Sequence, residues 1–215
     1  MNVKQFGFTN GRSTAEAGVE LIQQIFDAWE DSRDTIGVFC DLYEACNCVY
    51  HDALIRKVHP YESSYVTGRS IALLESYLRC RIQRVDVNSE RSSRCQYGCA
   101  TGSVPEPFPF LFYINDLLQL VKDGYGIVLF ADNTSLLFKI NRKQPAFDEI
   151  NSIISEIVEW FSINNLLISE KKTKLVQFSL TTTKTVNGNA MIKNEILNIV
   201  DKTLFLGLTL DAKLR

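Results

Sequence analysis

Apolar side chains recur at helical period in several stretches of the chain, and shorter apolar runs without that period lie between them. Ser13 followed by Glu16 has the spacing of a capping box, and Leu21, Ile22, Ile25, Phe26 and Trp29 then share one stripe; together they predict a first helix of about 17 residues. Residues 35–40 (TIGVFC) form a short apolar run that suits a strand buried on both faces, with Asp41 delivered at its C-terminal end. Residues 52–58 and 69–79 read as two short helices separated by a polar stretch around Pro60, Ser63 and Ser64. Residues 82–87 (IQRVDV) alternate, Asn88, Ser89 and Glu90 supply a turn, and 92–97 can return as the partner strand.

Pro105, Pro107 and Pro109 crowd the next stretch, so a helix is expected to begin cleanly at about Phe110, with Leu111, Ile114, Leu117, Leu118 and Val121 inward. The sharpest hairpin pairs 127–130 (IVLF) with 135–140 (SLLFKI) through Ala131, Asp132, Asn133 and Thr134, whose Asp and Asn tolerate left-handed backbone. Ile150, Ile153, Ile154, Ile157, Trp160 and Phe161 mark a last long helix started near Pro145, after which 173–178 and 204–210 read as strands. Hairpins mixed with helices point to an α+β fold, an antiparallel sheet covered on one side rather than a parallel doubly wound one. Residues 181–189 (TTTKTVNGN) are the clearest loop.

Composition narrows the classes. The chain has 215 residues and 46% hydrophobic content, enough for a sizeable core and far from disordered compositions, and one domain is the default. No apolar run approaches the roughly 18 residues of a spanning helix, and residues 1–12 lack the order of a signal peptide, so neither a membrane nor a secreted product is expected. The expected location is intracellular, with nucleus and cytoplasm undistinguished. Lys and Arg total 23 against 25 Asp and Glu, a net charge of −2, so any nucleic-acid contact must rest on local patches or on segments outside the chain. Arg79, Arg81, Arg84, Arg91 and Arg94 offer one such patch, and a solvated charged edge explains them equally well. Cys40, Cys46, Cys48, Cys80, Cys95 and Cys99 contain no CxxC and stand away from zinc-finger spacing to His51 and His59, so they read as reduced core or incidental thiols. His51 reads as a packing or helix-start residue; His59 has no assignment.

Asp41 ends a buried strand and Asp132 sits at the tip of a hairpin, so in one sheet the two carboxylates can share a rim. Hard divalent cations such as Mg²⁺ take one or two carboxylates plus phosphate and water. Spacing alone favours a plainer account, in which Asp132 and Asn133 are ordinary turn residues and Asp41 a strand-end acid.

Seven blocks in order change that balance. Residues 5–14 (QFGFTNGRST) match Q-x-G-F-x-x-G-R-S-T; Asp41 and Leu42, with Ala45, Val49 and His51 in register, match D-L-S/T-K-A-F-D-x-V-x-H; Gly98, Gly102, Ser103 and Pro107 fit G-V-P-Q-G-S-x-L-x-P. Residues 112–117 (FYINDL) fit F/I-Y-I-N-D-L, 130–134 (FADNT) stand at F-A-D-D-T, Lys172 and Thr173 at the following K-T, and 205–207 at the F-L-G turn. From about Gln5 onward the chain thus resembles the reverse transcriptase of non-LTR (LINE-type) retrotransposons, most closely insect elements of the jockey-like group.

The resemblance implies a polymerase palm, an antiparallel sheet covered by helices, with part of the fingers and a thumb absent or only begun. It implies a single domain over 1–215: a lead-in helix of fingers and palm at 1–34, the palm at 35–180, and a palm-to-thumb hairpin region at 181–215. The implied activity is RNA-directed DNA synthesis, extending a primer 3′-hydroxyl with dNTPs on an RNA template by two-metal phosphoryl transfer. By resemblance Asp41 and Asp132 hold two Mg²⁺ ions, with Mn²⁺ as a substitute, and Asn133 stands where a second hairpin aspartate belongs. Leu42, Cys46, Gly102, Ser103 and Lys172 would face nucleotide or template. The match begins in mid-family and stops at Arg215, so upstream fingers strands, any endonuclease and the downstream thumb of a parent element are expected outside the chain.

Departures from the family pattern fall on functional positions. Asn133 trades an anion for an amide; a unit-charge pair at about 4 Å and an effective dielectric of about 20 is worth roughly 4 kcal/mol, enough to lower metal occupancy or rate by orders of magnitude. Cys46 replaces a bulky aromatic that resembles a gate against the ribose 2′-hydroxyl, Asn47 replaces an acid, and Tyr43 and Glu44 replace Ser/Thr-Lys. Cys99, Ala100 and Thr101 replace Val, Pro and Gln, and Pro105 and Glu106 replace Leu and Gly, in the template-supporting loop. An impaired or dead enzyme is the expectation. The other classes are a non-catalytic relic of the same fold with at most weak RNA or RNA–DNA binding, and another Mg²⁺-dependent phosphotransferase using Asp41 and Asp132.

Overall fold

The computed structural model describes residues 4–43, 45–59, 68–79, 86–87, 90–91, 107–121, 125–141, 147–180, 190–192 and 195–215, with the backbone alone at 86–87, 90–91 and 107. The expected linker around Pro60, Ser63 and Ser64, residues 82–85, 88–89 and 92–97 of the expected hairpin, the helix start near Pro145 and the 181–189 loop lie outside these residues.

Helix α1 (Thr14–Glu30) opens on the capping box that the sequence announces, with Ser13 accepting from the Glu16 amide and Glu16 reaching back to the Ser13 amide. Its buried face is Ala17, Gly18, Leu21, Ile25, Ala28 and Trp29. Phe26, assigned to that stripe from the pattern, is instead largely exposed and packs edge-on to Trp29. Strand β1 (Asp34–Cys40) follows, with all seven residues buried. Next come β2 (Leu42–Tyr43), a 3₁₀ turn (Ala45–Cys48), α2 (His51–Val58), α3 (Gly68–Arg79), and the short pair β3 (Asp86–Val87) and β4 (Glu90–Arg91). Glu90 therefore pairs in a strand rather than turning the chain. His51 is buried as the first residue of α2, and His59 at its end faces Glu75 of α3 at 3.0 Å.

Helix α4 (Pro107–Ile114) starts three residues earlier than the proline pattern suggests and passes directly into a 3₁₀ turn (Asn115–Gln119). The first turn of a helix has no intrahelical acceptor for its N–H groups, so Pro107 and Pro109 both fit there at no cost in hydrogen bonds. Strands β5 (Tyr125–Phe130) and β6 (Asn133–Ile140) form the expected hairpin, then α5 (Phe147–Ile163), β7 (Leu167–Ile168) and β8 (Lys174–Phe178). Beyond them lie β9 (Met191–Ile192), β10 (Glu195–Ile196), β11 (Lys202–Phe205) and β12 (Leu208–Asp211). The single run expected over 204–210 is a hairpin: Leu206 and Gly207 both take positive φ (49° and 86°), the two-residue geometry that matches strand twist.

The main sheet has four antiparallel strands in the order β5-β6-β1-β8. Helices cover both of its faces, not one. Alternate residues of β1 enter different clusters: Ile36, Val38 and Cys40 pack with α2 to α5, while Phe39 packs with Leu137, Val176, Phe178, α1 and Phe205 and Leu210 of the β11–β12 hairpin. A strand apolar at successive positions demands this, since either uncovered face would leave large side chains in water. Both sheet edges are met by short segments, Gln5 bridging Leu129 beside β5 and Ile199 bridging Leu175 beside β8, each parallel. Covered edges do not template pairing with another chain.

One polar cluster ties the helical layer. Lys57 of α2, with only 18% of its side chain exposed, donates to Tyr113 O (2.9 Å) and Asp116 Oδ1 (2.8 Å), and its ammonium lies 4.8 and 4.6 Å from the Tyr113 and Trp160 ring centres. Burial lowers its pKa, and Asp116 opposes that shift. We predict that Lys57→Ala costs about 1–3 kcal/mol in urea unfolding, through lost charge-assisted bonds and cation–π contact; a loss under about 0.5 kcal/mol would show that the cluster does not stabilise the fold. At the β5–β6 turn the left-handed residue is Ala131 (φ 54°), not Asp132 or Asn133 as their residue types suggested. Relieving its Cβ should be favourable, so Ala131→Gly is predicted to raise stability by about 0.5–1 kcal/mol, and a net loss would mean that the methyl packs more than it strains.

Candidate active site

The C-terminal end of β1 gathers residues from three parts of the chain. Antiparallel pairing of β1 with β6 runs to Cys40 opposite Thr134, so Asp41 continues the chain beside Asn133, one residue from Asp132 in the turn. Neighbouring strands lie about 5 Å apart, which puts the two acids at the same end of the sheet, an edge crossed by strand ends and distinct from the covered sides of β5 and β8. On the other flank β1 pairs with β8 as far as Phe39 opposite Lys174, so the turn at 169–173 approaches Asp41 from that side. There the Ser169 amide donates to the Asp41 carbonyl (2.8 Å), and Ser169 O accepts from the amides of Lys172 (3.1 Å) and Thr173 (2.9 Å) and from Thr173 Oγ1 (2.8 Å). These bonds hold Asp41 by its backbone and bring Lys172 Nζ within 3.4 Å of Asp41 Oδ1.

The acids stay open to water. The Asp41 side chain is 40% exposed and that of Lys172 63%, so their ion pair contributes little to stability, and Asp132 is exposed at the turn. Asn133 is half-buried and donates through Nδ2 to Asp132 Oδ1 at 3.1 Å. Cys40, beside Asp41, is no nucleophile: burial pushes its thiol up to about 12, so it stays protonated at neutral pH.

Not every sequence-derived candidate reaches this edge with its side chain. Leu42 is buried and pairs with Ile168 in the β2–β7 ladder, so only its backbone remains for a bound molecule. Cys46 is half-buried in the 3₁₀ turn, packed against the core, and Cys48 Sγ lies 3.7 Å from Tyr43 O. Gly102 and Ser103 lie outside the described residues. Ser169, which fixes the Asp41 carbonyl, had no signal in the sequence beyond a generic polar turn.

The donor set suits a hard cation. Two carboxylates at one accessible edge, with an amide oxygen available if Asn133 turns its side chain over, match an ion that keeps several waters and expects further oxygens from phosphate. Neither carboxylate is buried, so no large desolvation cost opposes a hydrated ion at either one.

Comparison with known proteins gives this edge a context. The family pattern described as reverse transcriptase (RNA-dependent DNA polymerase) matches residues 1–210. Among curated proteins the chain is 29% identical over 218 residues to the probable RNA-directed DNA polymerase from transposon BS of Drosophila melanogaster, covering 98% of this chain and 24% of that protein. It is 28% identical over 181 residues to the polymerase from transposon X-element of the same organism, covering 82% and 20%, and 23% identical over 222 residues to that from mobile element jockey, covering 98% and 23%. The chain thus spans about a quarter of the length of the first of these relatives. Among solved structures it is similar to telomerase of Candida tropicalis in complex with a TWJ fragment of telomeric RNA (TM-score 0.66, 10% identity, 97% of this chain and 33% of that one). Telomerase of Candida albicans in the same kind of complex gives 0.62, 12%, 97% and 34%. At such identities the likeness speaks for the fold, an α+β polymerase palm. Reverse transcriptases as a class use divalent metal ions. Among the described residues no helix is long and apolar enough to cross a membrane. The pattern matched over residues 1–210 and the retrotransposon relatives agree: the chain belongs to the reverse transcriptase family, in its LINE-type, non-LTR branch.

Proposed function

We propose that this chain is the palm-centred part of an RNA-directed DNA polymerase that extends a DNA primer 3′-hydroxyl with dNTPs on an RNA template. The observation that carries the reading is the register of β1 against β6, Cys40 opposite Thr134, which sets Asp41 and the Asp132 turn at one edge of the sheet. Asp41 and Asp132 would hold the divalent ions, Mg²⁺ by the hardness of the oxygen donors, with Mn²⁺ as a substitute. Bound there, a pair of such ions supplies charge stabilisation at the attacking and leaving oxygens of an in-line displacement.

The chain's own groups orient the reactants. The Ser169 amide fixes the Asp41 backbone, so that carboxylate sits on a rigid strand end rather than a loose loop. Lys172, exposed and 3.4 Å from Asp41, is a mobile cation that could leave its partner for the triphosphate of an incoming nucleotide. Cys46 would stand near the sugar and, being smaller than an aromatic, would select weakly between ribose and deoxyribose. Gly102 and Ser103 would support template and nucleotide, as the resemblance implies. Through Asn133 the catalytic edge has one negative charge fewer than a hairpin with two aspartates, so we propose that the rate is impaired.

A second reading, a non-catalytic domain with at most weak affinity for RNA or RNA–DNA duplex, is favoured by one observation. Both carboxylates already have internal partners, Asp41 in Lys172 and Asp132 in the Asn133 amide.

Primer extension on an RNA template with Mg²⁺ or Mn²⁺ separates the two. Asn133→Asp is predicted to raise product formation by roughly tenfold or more, and Asp41→Asn or Asp132→Asn to abolish it. Absence of product from both the native chain and Asn133→Asp, with folding confirmed by circular dichroism, would leave the non-catalytic reading in place.

A further inference from the structure

The segment before α1 does more than cover a sheet edge. Phe6 N donates to Leu129 O (2.8 Å) and Leu129 N to Lys4 O (3.0 Å), so residues 4–6 run as a short parallel strand along β5 toward the turn that carries Asp132. Gly7 then meets that turn. A Cβ at Gly7 would fall 2.9 Å from the Phe130 carbonyl carbon, 3.1 Å from Ala131 Cα and nearer still to the Ala131 amide nitrogen. All three are backbone atoms of the peptide that leads into Asp132, and none can swing aside as a side-chain tip could.

Gly7 does not take a left-handed backbone; among the described residues the positive-φ glycines are Gly11 and Gly207. What glycine supplies here is space, not conformation. Several bonds hold the segment in place. The Gln5 side chain is almost fully buried and its Oε1 accepts from the Gly7 amide at 3.0 Å; Thr9 Oγ1 lies 3.3 Å from both Gln5 O and Gly7 O; and the Arg12 guanidinium stacks 4.8 Å from the Phe6 ring centre.

We infer that Gly7 is a positioning residue for Asp132: its bare Cα, pressed on the Phe130–Ala131 peptide and tethered through Gln5, sets the height of the hairpin turn relative to Asp41. The inference deepens the proposed function and rests on its reading of Asp132 as a metal ligand. Ala131 at φ 54° is a strained position that the surroundings must hold, and Gly7, just past the 4–6 strand, packs directly against it. A methyl group on Gly7 moves the peptide by a fraction of an ångström to an ångström, a displacement that matters for a carboxylate sharing an ion with a second one.

The test is Mn²⁺ binding to the full chain, followed by the paramagnetic signal of the free ion, in the native protein, Gly7→Ala, Gln5→Ala, Asp41→Asn and Asp132→Asn. Gly7→Ala should weaken Mn²⁺ binding roughly tenfold, toward the Asp132→Asn level, while Tm falls by no more than about 3 °C. Gln5→Ala, which adds no atom and frees the tether, should weaken binding in the same direction by about threefold. A Gly7→Ala protein that folds and binds Mn²⁺ within about twofold of native, while Asp132→Asn loses binding, overturns the positioning role and leaves the metal reading intact. Should Gly7→Ala fail to fold, the same criterion passes to Gln5→Ala. If native binding is insensitive to both Asp→Asn variants, it is the metal reading that fails. Positioning is then judged by hydrogen exchange: faster exchange confined to amides 129–133 in Gly7→Ala, or in Gln5→Ala if that variant must serve, supports it, and unchanged exchange overturns it.

Discussion

Strand β1 is buried on both faces and hydrogen-bonded on both edges, and the placement of every candidate catalytic group follows from that. Each large apolar side chain it buries contributes about 1.5–3 kcal/mol, and a slip of one residue would exchange the side chains facing the two clusters. Val38 would then leave the cluster lined by α2 to α5 for the one lined by α1, and Phe39 the reverse. The hydrophobic core therefore fixes the register, and the register fixes where Asp41 emerges. Because β6 and β8 pair with β1 on opposite sides, the same constraint brings in the Asp132 turn from one flank and the Ser169–Thr173 turn from the other.

The chemistry at that edge differs in kind from the packing beneath it. Core contacts are redundant: Val38, Ile36 and Cys40 each have many neighbours, and a change in one is shared among them. Edge groups act singly. Asn133 for an acid leaves the pairing with Phe130 and the hairpin untouched yet removes a whole unit of charge from the site. Packing and the charge at that end of the sheet therefore vary independently, and an intact fold is no measure of activity.

Much of the fold could be read in the sequence because it lies in local periodicity. The Ser13–Glu16 box, the all-buried β1 and the stripe from Ile150 to Phe161 each leave a local pattern, and all three form as that pattern implies. Errors arose where local chemistry was ambiguous. Pro107 and Pro109 delay the helix start that the pattern predicts and are in fact its first turn; Leu206 and Gly207 fall in a run that reads as strand by pattern, while the family likeness places there the tight turn they form; Phe26 follows the stripe but faces water. At the edge of the sheet, the residue types at 41, 132 and 172 were visible, and their proximity was only conditional until the register supplied it. Gly7 against the Phe130–Ala131 peptide, Ser169 on the Asp41 carbonyl and Lys57 between two aromatic rings left no trace in the periodic pattern, because each depends on residues distant in sequence.

Convergence at one end of the sheet accounts for four of the seven blocks that carry the family likeness; residues 112–117 lie instead in α4 and the 3₁₀ turn after it, and 205–207 turn the β11–β12 hairpin. Gln5 to Arg12, Asp41, the 130–134 turn and the 169–173 turn are far apart in the chain, yet each lies where a strand of one sheet starts or stops. The stretches between them need only be apolar at the right period, and many sequences meet that requirement. The blocks present particular atoms there: the Asp41 carboxylate, the Ser169 N–H on its carbonyl, and the bare Cα of Gly7 against the Phe130–Ala131 peptide. Low identity with the Candida telomerases alongside a shared fold is what this division produces, since packing constrains the class of residue at most positions and its identity at few.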